Sequence, residues 1–443
     1  MKRYEIYKDS GIQWVGEIPS HWDSNKLKFF ADISTGTTPS TANEEYWNEA
    51  TENWYTPADF NEGDIHLNGS SRKVSAMAFE KSACKVFKKN VVLVVGIGAT
   101  LGKIGFSRVE CTANQQINAI EFHDNVYPLF GAYYLSSLKE VMKSLASAAT
   151  LAIMNQSVTG SIPFVCPTLA EQKNIAAFLD HKVGQIDATI AEKEQMLEGL
   201  KNYRSAIISE AVTKGLDKNV EMKDSGVECI GMIPKHWNIN KLKFFADIST
   251  GTTPSTDNEE YWKEPTENWY TPSDFCEENV HLETSSRKVS TTAFQESACR
   301  VFKKDVVLVV GIGATLGKIG ISSVECSANQ QINAIEFYEN VYPLFGAYYL
   351  SSLKEVMKSF ASAATLAIMN QSVTGSIPFV CPTLDEQKEI ADYLEKKTKS
   401  IGSLLNQIEA QIDELKSYKS ALITEAVTGK IDLRDWKPKE ENV

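Results

Sequence analysis

Apolar positions along this chain follow two regimes, each of which appears twice in the same order. Short continuous runs come first: Val91–Val95, Ile117–Phe122 and Ile162–Val165 have strand length and predict β-strands. The segment Leu129–Ser144, entered through Pro128, predicts a helix. Thr35–Ser40 and Trp54–Pro57, rich in Gly, Thr and Pro or in polar and aromatic residues, read as loops. The second regime is a long 3-4 stripe. Leu179, Val183, Ile186, Ile190, Leu197, Leu200, Ile207 and Ala211 carry it, and Leu394, Ile401, Leu405, Ile408, Ile412, Leu415, Leu422 and Ala426 repeat it. This is coiled-coil periodicity, interrupted by Lys193, Arg204, Thr398 and Lys419.

The repetition has a constant offset. Trp22 matches Trp237, Thr35 matches Thr250, Gly98 matches Gly313, Asn114 matches Asn329 and Tyr203 matches Tyr418, each 215 positions later. Residues 9–217 and 224–432 are therefore two copies of one unit without insertion or deletion. From about Lys26 to Pro167 the copies are nearly identical, whereas 170–212 and 385–427 keep the apolar stripe and change most polar residues. Each helix starts with a capping box, Thr168-Leu-Ala-Glu171 and Thr383-Leu-Asp-Glu386, after a proline. A helix of about 45 residues is about 65 Å long and needs a partner, which the other copy can supply in parallel or antiparallel fashion. The expected fold class is α+β: two near-identical mixed α/β domains at 1–168 and 216–383, long helices at 169–215 and 384–432, and a tail at 433–443.

Composition limits the function classes. A chain of 443 residues with 43% hydrophobic and 23% charged residues can bury more than one core, and its longest apolar runs are too short to cross a membrane. Met1–Ile6 lacks the apolar stretch of a secretory signal, so a cytoplasmic protein is expected. Cys84, Cys111, Cys166, Cys229, Cys276, Cys299, Cys326 and Cys381 form no CxxC pair, and they read as small core residues rather than disulfides or zinc ligands. No metal or cofactor is expected. The net charge of -12 argues against a chain that binds nucleic acid alone, unless basic residues gather on one face or a partner supplies phosphate contacts.

The chemistry-bearing motifs thin out on inspection. Val95–Lys103 is glycine-rich after a strand, but Ile97 stands where a P-loop needs glycine, Ile104 replaces its Ser or Thr, and the GxGxxxG spacing is not that of a dinucleotide fold. It reads as a tight turn, or as a loop whose NH groups and Lys103 approach a phosphate. The Glu-x-Lys triplets at 171–173 and 386–388 read as capping and surface charge, and the six histidines do not cluster, so no catalytic site is expected.

What remains is a set of polar and aromatic side chains suited to base edges and phosphates. These are Thr37, Thr38, Ser40, Trp54, Tyr55, Thr56, Arg72, Lys73, Lys103, Asn114, Gln115, Gln116, Asn155 and Gln156. Their copies are Thr252, Thr253, Ser255, Trp269, Tyr270, Thr271, Arg287, Lys288, Lys318, Asn329, Gln330, Gln331, Asn370 and Gln371. Asn and Gln can pair with adenine, Arg and Lys with guanine or phosphate, and Thr can meet the thymine methyl.

On its entry segments Asp9–Trp22 and Asp224–Trp237, the Gly98–Lys103 turn, Asn114-Gln-Gln116 and Pro167–Lys173, the chain resembles the specificity subunits of type I restriction-modification enzymes over essentially its full length. The resemblance implies two target-recognition domains held apart by two long antiparallel coiled-coil helices, with pseudo-twofold symmetry. It further implies double-stranded DNA as ligand, two methyltransferase subunits and restriction-translocase subunits as partners, and S-adenosylmethionine and ATP held by those partners. Recognition domains of this family commonly differ, whereas these are nearly the same; the expected target is an interrupted palindrome. Half-sites one DNA turn apart lie about 34 to 36 Å from centre to centre, less than the helix length, so the domains lean inward or the DNA bends. Two other readings stay open: a scaffold presenting two identical ligand-binding heads, and the specificity subunit of a methyltransferase with no nuclease.

Overall fold

The structure, a computed structural model, describes residues 2–147, 153–362 and 368–437. The last six residues of the expected tail lie outside them. Two compact units emerge, and they interleave in sequence: residues 1–192 with 412–443, and residues 193–411. Each unit thus combines one copy's globular part with segments of both long helices.

In unit one the central sheet orders its strands Ala31–Thr35, Ile117–Phe122, Val91–Val95 and Ile104–Ser107, all antiparallel. Two of the predicted strands fall on the expected residues, and the third runs Pro163–Cys166 and pairs with Asp23–Lys26. A smaller sheet places Glu52–Tyr55 between Lys73–Val74 and Thr112–Ala113. Unit two repeats this plan and adds a short strand, His281–Leu282, parallel to Ile319–Ser322. Its unit-one counterpart is a single bridge, His66 to Phe106.

Both faces of the central sheet are covered, which is why its middle strand reads as an unbroken valine-rich run instead of alternating. In unit two, Val307 and Val309 join the core of Phe345, Tyr349 and Phe379, while Val306, Leu308 and Val310 face Tyr270 and Phe302. Six of the eight cysteines are buried as expected, but Cys229 and Cys276 are exposed, and all eight are free thiols.

Two sequence expectations need correction. The helix expected over 129–144 is two helices, Pro128–Ser136 and Lys139–Ser147. The break falls where Ser136 and Ser137 donate their hydroxyls back to the carbonyls of Tyr133 and Tyr134, satisfying acceptors that helix continuation would use. Trp54 and Tyr55, read as loop, end the strand Glu52–Tyr55; the loop begins at Thr56, whose capping box with Asp59 opens a short 3-10 turn.

The long helices run Leu169–Lys214 and Leu384–Val427. Both capping boxes form: Thr168 and Thr383 donate hydroxyls to Glu171 and Glu386, and accept from the backbone of those residues. Within unit one, Leu179, Val183, Ile186 and Ile190 are buried, as are Ile412, Leu422 and Ala426. Phe178 meets Trp436 and Asp187 meets Lys419, so the two segments run in opposite directions there. In unit two Lys193 donates to Gln411, and Ile207 shares a core with Tyr393, again in opposite sense. All four polar interruptions of the stripe find a partner: Thr398 reaches the Tyr348 hydroxyl, and Arg204 the Glu277 carbonyl.

The Glu171 and Glu386 carboxylates do more than cap. Glu171 accepts His21 Nε2 at 2.9 Å and the Trp22 indole at 3.3 Å, and Glu386 accepts His236 and Trp237 at 2.8 and 3.1 Å. Trp22 and Trp237 are buried, so each entry segment is locked to the start of its helix.

Candidate nucleic-acid interface

Four loops meet at one end of the central sheet in each unit. Thr35–Ser40 leaves the edge strand, Asn114–Gln116 enters its neighbour, Gly96–Thr100 leaves the middle strand, and Met154–Gln156 closes on them. Backbone bonds fix the convergence: Gly36 N–H donates to Ile117, Gly96 to Gln116, Met154 to Gly96 and Asn114 to Tyr55. Gly36 is required at this crossing, since a Cβ there would lie 2.3 Å from the carbonyl oxygens of Ala113 and Asn114. Beneath the loops Asn118 is buried; it donates to the Met154 carbonyl and Thr159 hydroxyl and accepts from Thr35, which in turn accepts from Gln156.

The rim that this framework holds up is polar. Thr38 donates to the Gln115 side chain, Asn114 donates to Gln116, and Gln115, Gln116, Asn155 and Gln156 are exposed. The same bonds recur in unit two among Thr253, Gln330, Asn329, Gln331, Thr250, Asn333 and Gln371. Asn155 and Asn370 also cap short helices through Val158 and Val373 N–H.

Not every candidate reaches the rim. Trp54, Tyr55, Trp269 and Tyr270 are buried. Thr56 and Thr271 are engaged in capping boxes with Asp59 and Asp274. Lys103 turns inward and donates its ammonium to the Phe60 carbonyl at 2.9 Å, as Lys318 does to Phe275 at 3.0 Å. Its glycine-rich neighbourhood is a tight turn, with Gly98 and Gly102 at positive φ.

Other members came together in a way the sequence did not announce. The Trp54 indole donates to the Thr37 carbonyl and the Trp47 indole to the Ser40 carbonyl, pinning the loop at two points. Arg72 lies over both rings, its guanidinium carbon 4.8 Å from Trp54 and 5.1 Å from Trp47. Lys73 follows it, exposed, and Lys85 joins them, its backbone N–H donating to the Thr37 hydroxyl. In unit two Trp262, Trp269, Arg287, Lys288 and Arg300 take the same places, with Ser255 and Thr252 as the pinned loop residues. Trp47, Trp262, Lys85, Arg300, Thr35 and Asn118 escaped the sequence reading. An aromatic within reach of a Gly-Thr loop was the only available signal for the tryptophans, and their spacing in sequence hides the contact.

Basic and amide side chains thus gather around one loop cluster per unit, and in unit two Glu267 and Glu325 line the same cavity as Thr252 and Arg300. Such a rim can donate to and accept from base edges and approach phosphates. No group of side chains among the described residues is spaced to hold a metal ion, and no described helix is long and apolar enough to cross a membrane.

A family model described as type I restriction modification DNA specificity domain matches residues 19–201 and 234–414. The chain belongs to this family. The two matches coincide with the two copies and reach well into each long helix. Among curated relatives, the MjaIX specificity subunit of Methanocaldococcus jannaschii is 27% identical over 243 residues, 54% of each protein, so that match spans about half the relative's length. The EcoDI specificity subunit of Escherichia coli is 20% identical across 96% of this chain and 91% of its own. A chain from a structural study of complex assembly and conformational transition of the type I R-M system superposes with TM-score 0.71 at 14% identity, covering 94% of this chain and 99% of that one. The shared fold is thereby established over nearly the whole length.

Proposed function

We propose that this chain is the DNA sequence-reading, non-catalytic subunit of a type I restriction-modification complex, and that its target is an interrupted palindrome. The observation that carries the reading is the duplicated rim: two loop clusters with the same side chains and the same internal hydrogen bonds. Like readers present like donor and acceptor patterns, so the half-sites they select match. The recognition domains are taken as residues 1–168 and 216–383, and the helices at 169–215 and 384–432 as an antiparallel coiled coil with pseudo-twofold symmetry that sets the spacing, ahead of a tail at 433–443. Opposite chain direction within each unit supports that arrangement.

Base contacts are assigned to the exposed rim, Thr37, Thr38, Ser40, Arg72, Lys73, Asn114, Gln115, Gln116, Asn155, Gln156 and their copies, while Lys103, Trp54 and Tyr55 build the support. Two methyltransferase subunits and restriction-translocase subunits complete the assembly in the cytoplasm, and they supply phosphate contacts that an acidic chain lacks. Mapping methylated bases in the genome of cells that carry the chain with its methyltransferase tests the reading. Matching half-sites around a fixed spacer are expected, and two unrelated half-sites would overturn the palindrome.

A further inference from the structure

Arg72 and Arg287 combine two properties seldom found together. Each guanidinium is held in place, by Trp47 and Trp54 in one unit and by Trp262 and Trp269 in the other, with the paired rings edge to face at 5.3 and 5.6 Å. Yet neither guanidinium makes a hydrogen bond or ion pair with any described residue, and both side chains are exposed. Their backbones are fixed as well: the Arg72 carbonyl accepts from the Ser70 hydroxyl and Trp54 N–H, the Arg287 carbonyl from Ser285 and Trp269. Asp59 and Asp274 hold the next turn by accepting Ser71 and Ser286 N–H. Donors that meet only water in the free chain are available to a ligand. These keep the planar fork free and oriented beside the pinned Thr37–Ser40 loop.

We infer that Arg72 and Arg287 are guanine readers, one per half-site, each donating two hydrogen bonds to O6 and N7 of a guanine at matching positions. This rests on the DNA-reading role above and goes beyond it by assigning one base to one residue. Contact with two mutually perpendicular indoles restricts each arginine side chain before binding, so the fork meets the base edge with a lowered ordering cost. A phosphate also takes a planar fork bidentately; the place of each fork beside the amide-bearing rim favours a base edge, and the experiment below separates the two.

The test uses the full chain assembled with its methyltransferase and duplexes of the mapped site. Each G·C pair is replaced in turn by A·T, and each guanine by 7-deazaguanine, which lacks the N7 acceptor. For the unaltered chain, one G·C in each half-site should matter by about 10- to 100-fold. Arg72→Gln should abolish that preference in one half-site only, and Arg287→Gln in the other, with unchanged thermal unfolding. Arg72→Met keeps an unbranched stem over the rings and has no donor, so it should bind native and 7-deaza duplexes alike; it also serves if the glutamine variant misfolds. Equal weakening on every sequence, with a salt slope reduced by about one, would mark a phosphate contact and overturn the inference. An unaltered preference or a half-site without guanine would also overturn it. If the unaltered complex showed no sequence preference at all, the DNA-reading role itself would fall.

Discussion

In unit one, Lys419 is buried in the helix seam and gripped by both oxygens of Asp187 at 2.6 and 2.7 Å. At the same place in unit two stands Arg204, equally buried, but Gly402 replaces the aspartate. Arg204 turns to the domain loop instead, donating to the Glu277 carbonyl at 3.0 Å near Glu278, where unit one has Gly63. Its Nε is buried with no partner among the described residues, and burial pulls its pKa down. The acid has moved from helix to loop, so the cation ties helix to helix in one unit and helix to domain in the other. The rims above these joints kept every candidate side chain. The rims lie in the stretch from about Lys26 to Pro167 that is nearly identical throughout, so their sameness marks no special constraint, whereas the seam shows that a buried cation can be satisfied by two routes.

The strongest way to break the comparison is at the part of the joint that did not diverge. Trp22→Ala and Trp237→Ala each remove a buried indole and its bond to Glu171 or Glu386, and each should cost about 3–5 kcal/mol in denaturant unfolding. The two losses should agree within about 1 kcal/mol; a large disparity would mean that the entry segments do unequal jobs.

At the diverged position the effects should part. Lys419→Met strands a carboxylate that is still partly in water, for a loss of about 1–2 kcal/mol, between the exposed and buried limits. Arg204→Met removes a desolvated charge with one unpaired donor and should be within about 1 kcal/mol of neutral. The reverse order in thermal melts would show that the Glu277 carbonyl bond outweighs the Asp187 pair.

Lys103→Met and Lys318→Met sharpen the distinction between rim and support. Each loses a hydrogen bond to a loop carbonyl and should cost about 1 kcal/mol. The salt slope of DNA binding by the assembled complex should stay as it was, whereas a slope lowered by about one would return these lysines to the phosphate-contacting set.

Much of this architecture was legible in the sequence because it is periodic. The valine run of 91–95, the 3-4 stripe and both capping boxes report local geometry, and the 215-residue offset reports the duplication. The helix break at Ser136 and Ser137 was hidden because the apolar pattern continues through it while the hydroxyls compete for the carbonyls. The site was legible as a set of residue types and not as an arrangement. Lys103 looks like a phosphate ligand until the Phe60 carbonyl lies against it, and nothing along the sequence sets Trp47 under Arg72. Contacts across long stretches of sequence decide both, and no local pattern encodes them.

The smallest difference between the units concerns acid. Burial pushes the Glu386 carboxyl up, but hydrogen bonds from Thr383, His236 and Trp237 outweigh it and hold the group down to about 2. Glu171, more deeply set, is also held below the usual carboxylate range by Thr168, His21 and Trp22, against a larger opposing push from burial. A carboxyl depressed on folding stabilises above its unfolded value, near 4.5, and that contribution is lost as pH falls through the folded value. Thermal melts from pH 5 to about 2 should therefore show a falling midpoint whose slope shrinks in Glu386→Gln and in Glu171→Gln. Because burial and hydrogen bonding oppose each other more evenly at Glu171, the Glu386 variant should lose more of the slope. An identical change in both variants would mean that the deeper setting of Glu171 does not weaken its hold on the charge.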